Sequence, residues 1–143
     1  MLSDMARELK HYAHAVCSLH THMVFVTKYR HPVITAEIEA RLKVMLTKLC
    51  EAKRCVLTEC QADLGTQDHI HLLIERHPTV AESQLAETLK TITSREIRKE
   101  FKEFLKPYYW KPVFWKRGYC AISSRGVSLD VLRKYIEQQG YND

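Results

Sequence analysis

The stretch Gln67-Asp68-His69-Ile70-His71-Leu72-Leu73-Ile74 decides the fold. Its polar residues stand only at the start, and a leucine- and isoleucine-rich run follows, the composition of a β-strand. Side chains alternate along a strand, so His69 and His71 share one face while Ile70 and Leu72 share the other. One face belongs to a core, and the opposite one carries two imidazoles.

The flanks supply what that core needs. Upstream, Cys17 to Arg30 reads as a first strand ending in the cationic cluster Lys28, Tyr29, Arg30. Thr35 is a candidate N-cap, and Ile38, Leu42, Met45, Leu46 and Leu49 recur at helical spacing to about Cys50. "CVLTECQA" (55–62) reads as a second strand, and a short turn around Gly65 leads into the histidine strand. Downstream, Pro78 breaks the chain, and Thr79 with Glu82 predicts a capping box for a second long helix. That helix carries Leu85, Leu89 and Ile92, then Lys90, Arg95, Arg98, Lys99 and Lys102. The aromatic, proline-interrupted "PYYWKPVFWKRGY" (107–119) reads as a loop entering a strand over 119–123. "SSRGV" reads as a joint, after which Ser128 caps a final helix over 128–140 that Gly140 ends. The order β-α-β-β-α-β plus a terminal helix predicts an α+β fold of the ferredoxin-like, split βαβ kind. Two helices pack on its antiparallel sheet, and the first and third strands are central neighbours.

The 143 residues are expected to form one domain, with 1–14 as an N-terminal tail. Apolar residues make up 45%, with four Gly and four Pro, a compact chain and not a disordered one. No window approaches a membrane span and no secretory leader is visible, so neither membrane nor export is expected. Five cysteines without C-x-x-C pairing read as reduced thiols of a cytoplasmic protein. Lys and Arg number 22 against 17 acids, a net charge of +5 that favours polyanionic partners.

Two imidazoles at i and i+2 can converge on one ion. A second pair, His20 and His22, has the same spacing on the first strand, and the context of each pair does not choose between them. A two-histidine site needs a third ligand. On the last helix Leu129, Leu132 and Ile136 form the packing stripe, with Tyr135 and Gln139 one turn apart on its edge. A glutamine oxygen suits a hard cation such as Mg²⁺ or Mn²⁺. A tyrosine there is equally a core residue.

Taken together, "LHTHMVFVTKYRH", "DHIHLLI", "LKTITSREIRKEF", "FWKRGYC" and "VLRKYIEQQ" resemble, in order, segments of the single-tyrosine HUH transposases of the IS200/IS605 type. The similarity runs from about Ala15 to Gln139, and it chooses His69 and His71 over the other pair. "TQ" before Asp68, Cys120 and "SSRG" depart from the family pattern without touching a proposed catalytic position.

The resemblance implies cleavage and rejoining of single-stranded DNA near hairpin-forming ends through a 5′-phosphotyrosine link. It makes Tyr135 the nucleophile and His69, His71 and Gln139 the ligands of one Mg²⁺ or Mn²⁺. No nucleotide cofactor is expected, consistent with the lack of a Gly-rich phosphate loop. A homodimer is implied, in which the tyrosine helix can complete the partner's site, and a cytoplasmic setting on the nucleoid when DNA is bound. Lys28, Tyr29, Arg30, Arg95, Arg98 and Lys99 are the candidate DNA contacts, and Tyr108, Tyr109, Trp110, Phe114 and Trp115 the candidate stacking residues. His22 is expected to pack or to act behind the ligands. Two alternatives stand: a domesticated single-tyrosine nuclease acting on repeated palindromes, and a non-catalytic ferredoxin-like single-strand-binding module.

Overall fold

The computed structural model describes residues 10–12, 15–17, 19–123 and 135–139. Its centre is an antiparallel sheet in the order β4-β5-β3-β6, built from β3 (His20–Val26), β4 (Val56–Ala62), β5 (His69–Glu75) and β6 (Cys120–Ser123). The first and third strands of the expected series, β3 and β5, are indeed the central pair, and the fold is the expected α+β arrangement. The first strand is shorter than its sequence suggests. Residues 15–17 form β2 (Ala15–Cys17), which pairs instead with β1 (Lys10–Tyr12) inside the expected N-terminal tail.

Helix α1 (Ala36–Ala52) starts where Thr35 predicts, its hydroxyl accepting from the Ile38 N–H at 3.2 Å. Its buried residues are Ile38, Leu42, Leu46 and Cys50, one stripe at three- and four-residue spacing. Helix α2 (Glu82–Glu100) buries Leu85, Ala86, Leu89, Thr93 and Ile97. Both stripes join one core with Met23, Phe25, Ile70, Leu72 and Ile74 of the sheet. The capping box does not form. The N-cap of α2 is Ala81, and Thr79 Oγ1 instead lies 2.6 Å from His77 Nδ1, a local partner that competes for the hydroxyl. A short α3 (Lys102–Leu105) follows. Among the described residues no helix is long and apolar enough to cross a membrane.

The core sets a stability expectation. Ile70 is fully buried between β3, β4 and the helices, so Ile70→Ala should cost about 3 kcal/mol by urea unfolding. A loss under about 1 kcal/mol would mean the helix-facing side collapses around the cavity.

The opposite sheet face is what positions the site. Cross-strand partners share a face, so Val24 and Val26 stand directly beside His71 and His69. Val24 and Val26 are almost fully buried although no helix of the core covers them. Cys120, Ile122, Tyr135 and Ile136 cover them instead. Residues 135–138 are helical, as expected; Ser128, Gly140 and the joint at 124–127 lie outside the described residues.

Candidate active site

Asp68 is the first anchor. Its backbone carbonyl accepts from the Thr27 N–H at 2.9 Å and from the Thr27 hydroxyl, tying the entry of β5 to the exit of β3. Its carboxylate divides its oxygens: Oδ1 lies 2.8 Å from His69 Nδ1, and Oδ2 accepts from Arg30 Nε at 2.9 Å. Burial alone would raise this carboxyl, but hydrogen bonds from His69 and Thr66 and the Arg30 guanidinium outweigh it and hold it below its ordinary value. An ionised carboxylate only accepts, so His69 donates from Nδ1 and its Nε2 takes no part in this bond. That is the carboxylate–histidine arrangement that orients metal-binding imidazoles.

His71 pairs differently. Its Nε2 lies 2.8 Å from His22 Nδ1, with the two rings stacked at 5.0 Å and 4°. His22 sits opposite Leu73, so it reaches His71 on the diagonal. The expected packing role of His22 thus becomes a direct contact. Burial first, then the neighbouring His22, lowers the His71 pKa and favours the neutral ring that a metal requires.

Arg30, expected to contact DNA, turns inward. Its side chain is 10% exposed, and besides Asp68 it donates from a terminal guanidinium nitrogen to the Gln139 carbonyl at 3.2 Å. The backbone aims it there: Tyr29 and Arg30 both adopt left-handed conformations, φ 59 and φ 53, an unusual pair for non-glycine residues. Arg30 therefore joins the segment carrying Tyr135 and Gln139 to the Asp68–His69 pair. Gln139 spends its own amide N–H on the Tyr135 carbonyl at 3.1 Å, leaving Oε1 out of that bond. Arg30→Ala removes the cation from a buried carboxylate that keeps its bonds from His69 and Thr66, and should lower stability by about 3 kcal/mol in urea unfolding. A loss below about 1 kcal/mol would show the bridge to be screened by solvent.

Donors of the kind a divalent cation takes stand on this face: His69 keeps Nε2 out of its Asp68 bond, His71 has its Nε2 against His22 Nδ1, and Gln139 lies on the segment packed on the neighbouring valines. Among the described residues no three His, Cys, Asp or Glu side chains converge on a point that could hold a metal ion. Burial pushes the Cys50 and Cys60 thiols up to about 12. His69 and His71 open onto a cleft of about 930 Å³ whose charged lining is Glu39, Glu59, Asp63 and Lys43.

The remaining candidates divide by exposure. Arg95, Arg98 and Lys99 border a second cleft on the outer side of α2. Lys28 lies over the Tyr29 ring at 5.2 Å. Phe114 and Trp115, expected to stack on bases, are buried because Trp115 bridges to Thr27 and donates its indole N–H to Thr93. Tyr109 is buried too, its hydroxyl on the Lys28 carbonyl, and Tyr108 packs on His31. Trp110 alone of the five is widely exposed, at 85%.

Known proteins are similar to this chain along most of its length. The family model for IS200-like transposases matches residues 15–139. The transposase for insertion sequence element IS200 of Salmonella typhimurium is 33% identical over 132 residues, 91% of this chain and 82% of the relative. The ISDra2 transposase TnpA of Deinococcus radiodurans is 27% identical over 124 residues, covering 87% and 86%. A crystal structure of a protein assigned as a transposase in Deinococcus radiodurans R1 superposes with a TM-score of 0.81 at 25% identity, over 92% of this chain and 98% of that one. With a sheet that carries a histidine pair beside a tyrosine-bearing helical segment, and with these relatives along nearly its whole length, the chain belongs to the family of IS200-like transposases.

Proposed function

We propose that this transposase cleaves and rejoins single-stranded DNA near hairpin-forming ends, with Tyr135 as nucleophile and His69, His71 and Gln139 as ligands of one Mg²⁺ or Mn²⁺. The observation that carries the reading is the Arg30 link. It ties the Gln139 backbone to Asp68, the carboxylate that orients His69, while Tyr135 packs on the valines flanking both histidines.

The Tyr135 phenol oxygen attacks the scissile phosphorus, and the bond from phosphorus to the 3′ oxygen breaks. The products are a 5′-phosphotyrosine link and a strand ending in a 3′-OH. Attack of a 3′-OH on that link reverses the exchange, so rejoining needs no nucleotide cofactor. A free phenol has a pKa of about 10, so deprotonating Tyr135 is the chemical task of the site. When bound, the divalent ion supplies Lewis-acid polarisation of the phosphate and offsets charge on its oxygens. The charged lining explains the need for such an ion. Three carboxylates, Glu39, Glu59 and Asp63, face a phosphate approaching the histidines, with Lys43 the cation opposing them in that cleft.

The assembly is a homodimer in this reading. Residues 135–136 pack on Val24 and Val26, and in a homodimer the tyrosine helix can complete its own chain's site or the partner's. Strand polarity tests the chemistry. A 3′-labelled single strand should carry its label onto the protein, and a 5′-labelled one should release its label with a free 3′-OH. The opposite pattern would contradict a 5′-phosphotyrosine link.

A further inference from the structure

The second cleft lies where the proposed chemistry does not use it. Its floor is Leu105 and Val113, its volume about 600 Å³, and its rim holds Arg95, Arg98, Lys99, Lys102, Lys106 and Lys111 against one acid, Glu103. Among the described residues little neutralises these cations. Arg95 reaches Glu96 at 3.4 Å in an exposed pair worth little, and Arg98 donates to the Ser94 hydroxyl.

Trp110 stands in this rim on a pinned loop. Just before it, Tyr109 is buried against Phe114 and donates to the Lys28 carbonyl at 2.9 Å. Just after it, Lys111 lies over the Trp110 ring at 5.5 Å and over the Tyr29 ring at 5.7 Å. A large aromatic, 85% exposed, is thus presented on an anchored backbone beside six cations. The loop also leads toward the candidate active site. Lys28 and Tyr29, which it touches, run directly into Arg30 and so to Asp68 and His69.

We infer that this cleft is a subsite for a single-stranded nucleic-acid segment, with Trp110 stacking on an unpaired base and the rim cations holding the neighbouring phosphates. The inference rests on the reading that single-stranded DNA is the substrate, and it adds where the strand outside the cleavage point is held. A base face must be free to stack on the indole, which duplex pairing prevents. Clustered Lys and Arg around an exposed aromatic is the chemistry of such a groove, whereas a protein partner of the usual kind meets fewer charges at its centre.

The test is fluorescence anisotropy of a labelled oligothymidine of about twelve nucleotides with the full chain, in chelator, at several salt concentrations. Trp110→Ala should weaken binding about tenfold or more while Trp110→Phe retains most of it. The double variant Lys102→Glu, Lys106→Glu should weaken binding and flatten its salt dependence. Wild-type affinity in both Trp110→Ala and the double variant overturns the subsite, as does equal binding of a duplex or no binding by the wild type. A fall in sedimenting mass on Trp110→Ala would also overturn it, by showing that a second copy covers the ring. Adduct formation by the same proteins with a single strand of the flanking DNA and Mg²⁺ or Mn²⁺ separates the two readings. Trp110-dependent binding without any adduct counts against transesterification alone, and adduct with Trp110-independent binding counts against the subsite alone.

Discussion

Tyr135→Phe should bind single strands of the flanking DNA as the wild type does and form no covalent adduct with them. The substitution removes one oxygen. Tyr135 and Ile136 pack on Val24 and Val26, as Cys120 and Ile122 do, through apolar surface that phenylalanine keeps. The segment also stays attached through the Gln139 backbone carbonyl, which accepts from Arg30 and which the mutation does not touch. Loss of a nucleophile that nothing replaces typically costs at least about a thousandfold. Denaturing electrophoresis reads adduct and native electrophoresis reads binding. An adduct that persists in the variant would mean another side chain is the nucleophile.

The second large effect is expected from the histidines. His69→Ala and His71→Ala should each lower metal-dependent cleavage by about a hundredfold or more, with strand binding retained. The two should not fail identically. His69→Ala leaves the Asp68 carboxylate with Arg30 but without its imidazole partner, while His71→Ala releases His22. Direct titration with Mn²⁺ gives a readout apart from activity, and both variants should bind the ion more weakly. Undiminished cleavage in either would move the site elsewhere on the sheet, with His20 and His22 next in order. Mixing Tyr135→Phe with His69→Ala subunits then reads the assembly. Absence of rescue agrees with a site made within one chain, and rescue would show that subunits exchange the tyrosine segment.

The parts of this protein that were legible in the sequence are those governed by periodicity. The alternation around His69 and His71, the stripe from Ile38 to Cys50 and the Thr35 cap each depend on neighbours within one or two turns, and each appears as read. What was missed depends on long-range geometry. The inward turn of Arg30 requires left-handed backbone at Tyr29 and Arg30, which no glycine announces, and a partner, Asp68, that only the pairing of β3 with β5 brings near. The His22–His71 contact is diagonal across two strands and needs the register to be known. Phe114 and Trp115 look like Trp110 in sequence, yet the bridge from Thr27 to Trp115 draws the first two inside. The likeness from about Ala15 to Gln139, more than any single motif, is what prefers one histidine pair to the other; the sheet itself sets His22 against His71.

The central claim is that Tyr135 becomes joined to DNA with divalent metal present. Wild-type protein incubated with a single strand from its own flanks, with Mg²⁺ or Mn²⁺ and with chelator, answers it on one denaturing gel followed by peptide mapping. The account predicts a slow-migrating band only with metal, reduced by nuclease to the peptide containing Tyr135 carrying a nucleotide remnant. A band independent of metal, a modified residue other than Tyr135, or no band from protein that binds the strand would contradict it.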